Sequence, residues 1–146
     1  MTDTFILFML AGTTYGLRTD EILHVEMIEE ITPVPNAAAH VEGVVFSRGQ
    51  VVPVISLRSR FGFPRVPHGA ASRLIVTRAG GRVLGFSVDS AREFARLPAE
   101  RIEPPAETIT GLSGRYLEGI ARLGDRIVLV LALDQIAETA QVAVGA

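Results

Sequence analysis

The sequence predicts an all-β protein: a pair of small β-barrels built by internal duplication, with short helical turns and a short C-terminal helix. Three observations lead there. Short runs rich in Val, Ile, Leu and Phe recur at regular spacing with Gly and Pro between them, the pattern of many short strands folded into barrels. The chain also repeats itself. Residues 41–58, VEGVVFSRGQVVPVISLR, align without gaps on 117–134, LEGIARLGDRIVLVLALD, setting Glu42 on Glu118, Gly43 on Gly119, Val54 on Val130 and Leu57 on Leu133. In the same order, 5–20 resembles 74–89, with Gly12, Gly16 and Asp20 on Gly81, Gly85 and Asp89, and 29–35 resembles 100–106. Finally, 146 residues suit one compact domain, or two very small ones sharing a core. Halves of about 65–70 residues would be marginal alone, so they are expected to pack intimately.

Along the chain, residues 1–4 are expected to fray. Residues 5–10 form a strand, 11–14 a turn and 15–18 the returning strand. Residues 22–28 fit either class: Ile22, Val25 and Ile28 recur at helical spacing, whereas Leu23, Val25 and Met27 alternate. Their short length and the ITPVP that follows favour a strand. Pro33 and Pro35 hold an extended edge segment, and Asn36 is expected to cap one helical turn over 37–40. The first repeated hairpin then pairs 41–46 with 50–57 and reverses at Ser47-Arg48-Gly49. Pro53 has no N–H for a ladder, which puts the second strand at a sheet edge or beside a bulge. A helical turn near 56–61 ends at Gly62. The linker FPRVPHGAAS, 63–72, separates repeats at about 5–62 and 74–136 within one domain spanning 5–138. A hairpin over 74–77 and 83–88 turns at 79–81, and 94–97 is a strand. Pro104, Pro105 and 108–114 belong to a longer loop. The second repeated hairpin fills 116–133, and Asp134 caps a final helix from Gln135 to about 142.

Composition bounds the function. The chain is 48% hydrophobic with a mean hydropathy of +0.34, yet no apolar run reaches the roughly 18 residues a membrane helix needs. FILFMLA is short and follows Asp3 rather than a basic region, so it reads as a strand and not a signal peptide. Part of the apolar surplus is expected at the surface as partner patches. Cysteine is absent, which rules out disulfides and thiolate chemistry and suits a cytoplasmic protein. The net charge of −2 gives no basic field for nucleic acid, and only two Tyr and no Trp are available for base stacking. His24, His40 and His68 show no metal-ligand spacing, although His24 and Glu26 could face one way on a strand. No nucleophile elbow, phosphate loop or dinucleotide fingerprint occurs. The glycines of GTTYG and GGRVLG sit at hairpin turns, where backbone conformation accounts for them. Glu29 and Glu30 read as a solvated edge. No catalytic residue, metal ligand or cofactor is expected. Arg48 stands out, a charge at the tip of an apolar hairpin. It can be a turn filler with its stem on apolar neighbours, or a partner contact on a rigid tip.

The run ITPVPNAAAHVEGVVFSRGQVVPVISLRSRFG, 31–62, resembles the CheW family of bacterial chemotaxis adaptors. There a proline-bearing segment leads into an apolar Gly-Val stretch, an Asn-Leu-Arg-Gly turn, and then V-x-P-V-x-D-L-R. YGLRTDEILHV is similar to the family's beginning, and LPAERIEPPAE followed by YLEGIARLGDRIVLVLALDQI to its ending, so the likeness covers about 5–138.

The resemblance implies two intertwined five-stranded β-barrels of the SH3/OB-like kind with a shared hydrophobic core. It also implies a non-enzymatic adaptor that couples the cytoplasmic signalling tips of chemoreceptors to the regulatory domain of a CheA-type histidine kinase. Such a protein reaches receptor arrays through its partners, with no membrane insertion and no nucleic acid. Related adaptors serve gliding or twitching pathways. Carried over by position, Arg48 and Gly49 match the motif's Arg-Gly, and Val25 and Ile28 match apolar positions near the partner surfaces. Glu26, or Met27 one residue on, takes the place of an acid that can pair with the motif arginine. Phe46-Ser47 replaces Asn-Leu, which adds apolar surface at Phe46. Ser56 replaces the Asp before Leu-Arg, removing a possible charge partner for Arg48 or Arg58. The partner-binding candidates are therefore Val25, Glu26, Met27, Ile28, Phe46, Arg48, Gly49 and Arg58. Two other readings remain: a diverged adaptor that binds only receptor or only kinase in a non-flagellar, gliding or twitching pathway, and an unrelated ligand-binding β-barrel.

Overall fold

The computed structural model describes residues 1–105 and 116–137. Two sheets account for almost all of them. One has the order β8-β1-β2-β11-β10-β9, from β1 (Thr2–Leu10), β2 (Thr13–Arg18), β8 (Ser90–Pro98), β9 (Ile102–Glu103), β10 (Leu117–Leu123) and β11 (Arg126–Leu131). The other has the order β3-β6-β7-β5-β4, from β3 (Ile22–Met27), β4 (Val41–Ser47), β5 (Gln50–Ser56), β6 (Arg73–Ala79) and β7 (Arg82–Val88). The expected pair of intertwined barrels is what forms. The N-terminal hairpin β1–β2 completes the sheet of the C-terminal strands, while β6–β7 from the second half completes the sheet of β3, β4 and β5.

Equivalent contacts recur in the two sheets. Val54 lies opposite Gly85 in the parallel β5–β7 pair, as Val130 lies opposite Gly16 in β11–β2. The β4–β5 and β10–β11 hairpins each carry an irregularity two residues long at matching positions, between Val41 and Gly43 and between Leu117 and Gly119. The two-residue β9 closes on β10 at Ile120, and a single Thr32–Val44 bridge does the same on β4. Each barrel is thus five strands plus a short closing segment.

Why the strands read as continuous apolar runs follows from burial on both faces. On β1, Phe5 and Leu7 point into the six-stranded barrel with Leu97, Ala121, Val128 and Val130, while Ile6, Phe8 and Leu10 face the core between the barrels. On β6, Leu74 and Val76 fill the five-stranded barrel with Val52 and Val54, and Ile75 faces the shared core. Much of the apolar surplus is spent there. A row of rings threads that core, from Phe8 to Tyr15, Phe61 and Tyr116, with centroids 5.8, 5.7 and 5.4 Å apart, and Arg60 lies 5.6 Å above Tyr116. Asp89, just after β7, staples the barrels: Arg58 donates to it twice at 2.8 Å and Ala11 N–H donates at 2.9 Å.

Several local expectations are corrected. Residues 2–4 are not frayed, because Thr2 and Asp3 pair with Pro98 and Leu97 of β8. Asn36 has φ of 60° and sits in a turn, and no helix follows over 37–40. β5 is an inner strand, so of the two alternatives for Pro53 the edge fails, while the hairpin's irregularity between Val41 and Gly43 lies next to Val44, the partner of Pro53. Pro53 is tolerated because pairing with β7 starts only at Val54. α1 (Leu57–Arg60) forms where expected, with Ser56 Oγ accepting from Ser59 N–H at 3.1 Å, so serine keeps the capping role an aspartate would have. The last helix begins at 133, where Ala132 C=O accepts from Ile136 N–H, so Asp134 lies in its first turn instead of capping it. The loop over 108–114 and the end of that helix lie outside the described residues. No helix among the described residues is long and apolar enough to cross a membrane.

Candidate partner interface

The tip of β4–β5 is a two-residue turn, Arg48 and Gly49, with φ of 47° and 85°. Both values are positive, as a hairpin turn that follows the strand twist requires. Glycine adopts this freely, but for an arginine the left-handed region costs on the order of 1 kcal/mol. Among the described residues Arg48 makes no hydrogen bond or ion pair. Beside it, Phe46 pairs across the hairpin with Val51, and both are turned outward, 69% and 66% exposed.

The expected pairing of Arg48 with Glu26 is not made. A bulge at Leu23 sets His24 and Glu26 on one face of β3, opposite Val76 and Leu74. There Glu26 Oε2 accepts from Ser47 Oγ at 2.8 Å and lies 2.8 Å from His24 Nε2, which is 3.2 Å from the same hydroxyl. The carboxylate is engaged by Ser47 and His24, and no ion pair with Arg48 forms. Serine, histidine and glutamate in contact do not make a nucleophilic relay here. One nitrogen of His24 faces both oxygens, a relay uses the two ring nitrogens, and Ser47 is buried. No group of three or more His, Asp or Glu among the described residues could hold a metal.

An open groove of about 600 Å³ runs beside the tip, lined by Glu26, Met27, Glu29, Glu30, Phe46 and Arg48 over a floor of Val45 and Leu74. A smaller one beyond Phe46 is lined by Glu30, Thr32, Val44, Val45 and Val51, leaving the Phe46 ring as a ridge between them. The structure therefore brings Glu26, Met27, Phe46 and Arg48 to one groove with Gly49 at its end. Val25 packs partly against the shared core and Ile28 against the five-stranded barrel's interior. Arg58 is elsewhere. It follows β5, a seven-residue strand and so roughly 23 Å from the tip, and it is bound to Asp89. Burial would raise the Asp89 carboxyl, but the Arg58 guanidinium and the Ala11 N–H outweigh it and hold it below the usual range. Val51, Glu29 and Glu30 were missed as lining residues. Val51 was within reach of the sequence, since a two-residue turn at Arg48-Gly49 sets it opposite Phe46.

The model of the CheW-like domain family matches residues 4–141. The chemotaxis protein CheW of Klebsiella aerogenes is 29% identical over 139 residues, 95% of this chain and 84% of its own length. CheW of Helicobacter pylori is 31% identical over 132 residues, 90% of this chain and 79% of its own. The crystal structure of the scaffolding protein TtCheW from Thermoanaerobacter tengcongensis matches with a TM-score of 0.83 at 30% identity, covering 90% of both chains. Because the family model spans residues 4–141, nearly the whole sequence, this chain belongs to the CheW-like domain family of chemotaxis coupling adaptors.

Proposed function

We propose that this protein is a non-enzymatic adaptor coupling the cytoplasmic signalling tips of chemoreceptors to the regulatory domain of a CheA-type histidine kinase. It works in the cytoplasm and joins receptor arrays through these partners. One domain over about 5–138, made of two exchanged repeats, serves as a rigid block, and the β4–β5 tip with its groove is a partner surface. The observation that carries this is Arg48: a guanidinium without a partner among the described residues, on a backbone a glycine would hold at lower cost, next to a largely exposed phenylalanine. The turn needs the positive φ but not an arginine, and a strained non-glycine residue at such a place points to function. The departure at Phe46 also favours a second reading, in which the surface has diverged to keep only one of the two partners.

The test is titration of the purified protein with a receptor signalling-tip fragment and, separately, with the kinase regulatory domain. Binding of both supports the coupling role, and binding of one supports the diverged adaptor. Arg48→Gly is expected to melt at the same temperature as the wild type or slightly higher, and to bind more than about fivefold more weakly, as a desolvated interface arginine would. A clear loss of stability with binding intact would make Arg48 a structural residue and remove the surface.

A further inference from the structure

We infer that the groove beside Phe46 receives a cationic, amphipathic segment of the partner, with its apolar side on Phe46 and Met27 and its Lys or Arg side chains against Glu29 and Glu30. This rests on the proposal that the β4–β5 tip is a partner surface, and it adds the chemistry of what docks there.

Charge distribution supplies the argument. The groove is lined by three carboxylates, Glu26, Glu29 and Glu30, and one guanidinium, Arg48, a balance of −2. The equivalent groove on the six-stranded barrel is lined by Glu100, Arg101, Glu103 and Arg122, two of each sign and a balance of zero. Phe46 corresponds to Arg122 there, and Glu30 to Arg101, so the two repeats differ at these places in both charge and hydropathy. Only the first groove joins exposed apolar side chains, Phe46 and Met27 at 69% and 61%, to an excess of one charge.

The carboxylates are also available and fixed. Glu26 is held by Ser47, but Glu29 and Glu30 are exposed and make no hydrogen bond or ion pair among the described residues. Their backbone is pinned just beyond, where Thr32 and Val44 exchange N–H···O bonds of 2.9 Å in both directions. Two unpaired carboxylates on anchored backbone, flanking an apolar ridge, present a preorganised negative edge. A cation meeting it gains attraction without reordering the site, and a carboxylate meeting it is repelled. Glu30 borders both grooves, so the negative edge continues past Phe46.

The experiment uses four full-length proteins: wild type, Glu29→Lys/Glu30→Lys, Glu100→Lys/Glu103→Lys and Phe46→Asn. Each is titrated calorimetrically with the receptor-tip fragment and with the kinase regulatory domain, at 50 and 300 mM NaCl. The Glu29/Glu30 variant is expected to bind one of these partners at least tenfold more weakly at low salt, about 1.4 kcal/mol, and to lose most of the salt dependence. The Glu100/Glu103 variant makes the same change in net charge on the other barrel and is expected to stay within twofold. All five substituted positions are exposed, and thermal melts confirm folding. Equal weakening by both lysine pairs would reduce the effect to net charge and overturn the inference. So would unchanged or tighter binding by the Glu29/Glu30 variant. If Phe46→Asn weakens the complex while Glu29→Lys/Glu30→Lys does not, the surface stands and the cationic segment is wrong. If neither changes either complex, the surface itself is wrong.

Discussion

Replacing Phe46 with asparagine separates binding from folding. Full burial of an aromatic side chain covers roughly 150–250 Å². With 69% of Phe46 exposed, on the order of 100–170 Å² remains for a partner to cover. At about 25 cal/mol per Å² that sets a ceiling near 2.5–4 kcal/mol. Partial coverage and side-chain ordering lower the expected loss to about 1–3 kcal/mol, or roughly fivefold to 150-fold in Kd. Folding should feel far less. The ring's main internal contact is the cross-strand pair with Val51, worth about 0.2–1 kcal/mol, and at this chain length that lowers Tm by about 1–4 °C. Calorimetric titration with each partner, beside thermal melts followed by circular dichroism, measures both quantities. A fall in Tm beyond about 10 °C would mean that Phe46 supports the core. Unchanged affinity for both partners would mean that the ring is a neutral replacement.

Three further outcomes follow. Asp89→Ala removes the acceptor shared by Arg58 and Ala11, and since both charged groups are partly exposed the expected cost is about 1–3 kcal/mol, read as a Tm lower by a few degrees. Because the folded Asp89 carboxyl titrates below its ordinary value of 3.8, its contribution is complete above that pH and is lost as pH falls through the folded value. Wild type and Asp89→Asn should therefore converge in stability in acid. His40 is held below 6.5 by burial and then by Arg60 and Arg65. The unfolded chain binds that proton first, so stability should fall as pH drops from about 6.5 to the folded value, and denaturant melts of His40→Gln should lack this slope. Gly43→Ala should be severely destabilising, by about 3 kcal/mol or more, since φ is 146° and the new methyl would lie 2.2 Å from the Thr32 carbonyl oxygen. Soluble expression and a normal Tm would refute that.

The strands were legible because most are buried on both faces, which writes FILF and LIV as unbroken apolar runs. The duplication was visible for a related reason, as the same Gly positions serve the same close contacts in both sheets. What escaped depends on chain that is distant in sequence. Thr2 and Asp3 look like a fraying terminus until β8 arrives to pair with them. Asn36 suits a helix cap and a left-handed turn equally, and the local sequence does not choose. The Arg48–Glu26 expectation failed on pleat direction. One bulged residue, Leu23, turns Glu26 toward Ser47, whose hydroxyl takes the carboxylate. The reversal was readable from Gly49, but the sequence spread it over Ser47-Arg48-Gly49, whereas Ser47 belongs to the strand and pairs with Gln50.

The exchange of hairpins between the sheets has a consequence for synthesis. Thr2 pairs with Pro98, so β1 must wait for about 96 further residues to be made before its outer edge is covered. At roughly 5–20 residues per second that is about 5–20 s during which FILFML has only β2 beside it. Neither barrel can close on the first 62 residues alone, because β6 and β7 have yet to be made. Until β8 is made the nascent chain carries an open, strongly apolar hairpin, an edge of the kind that invites pairing with another chain unless it is shielded.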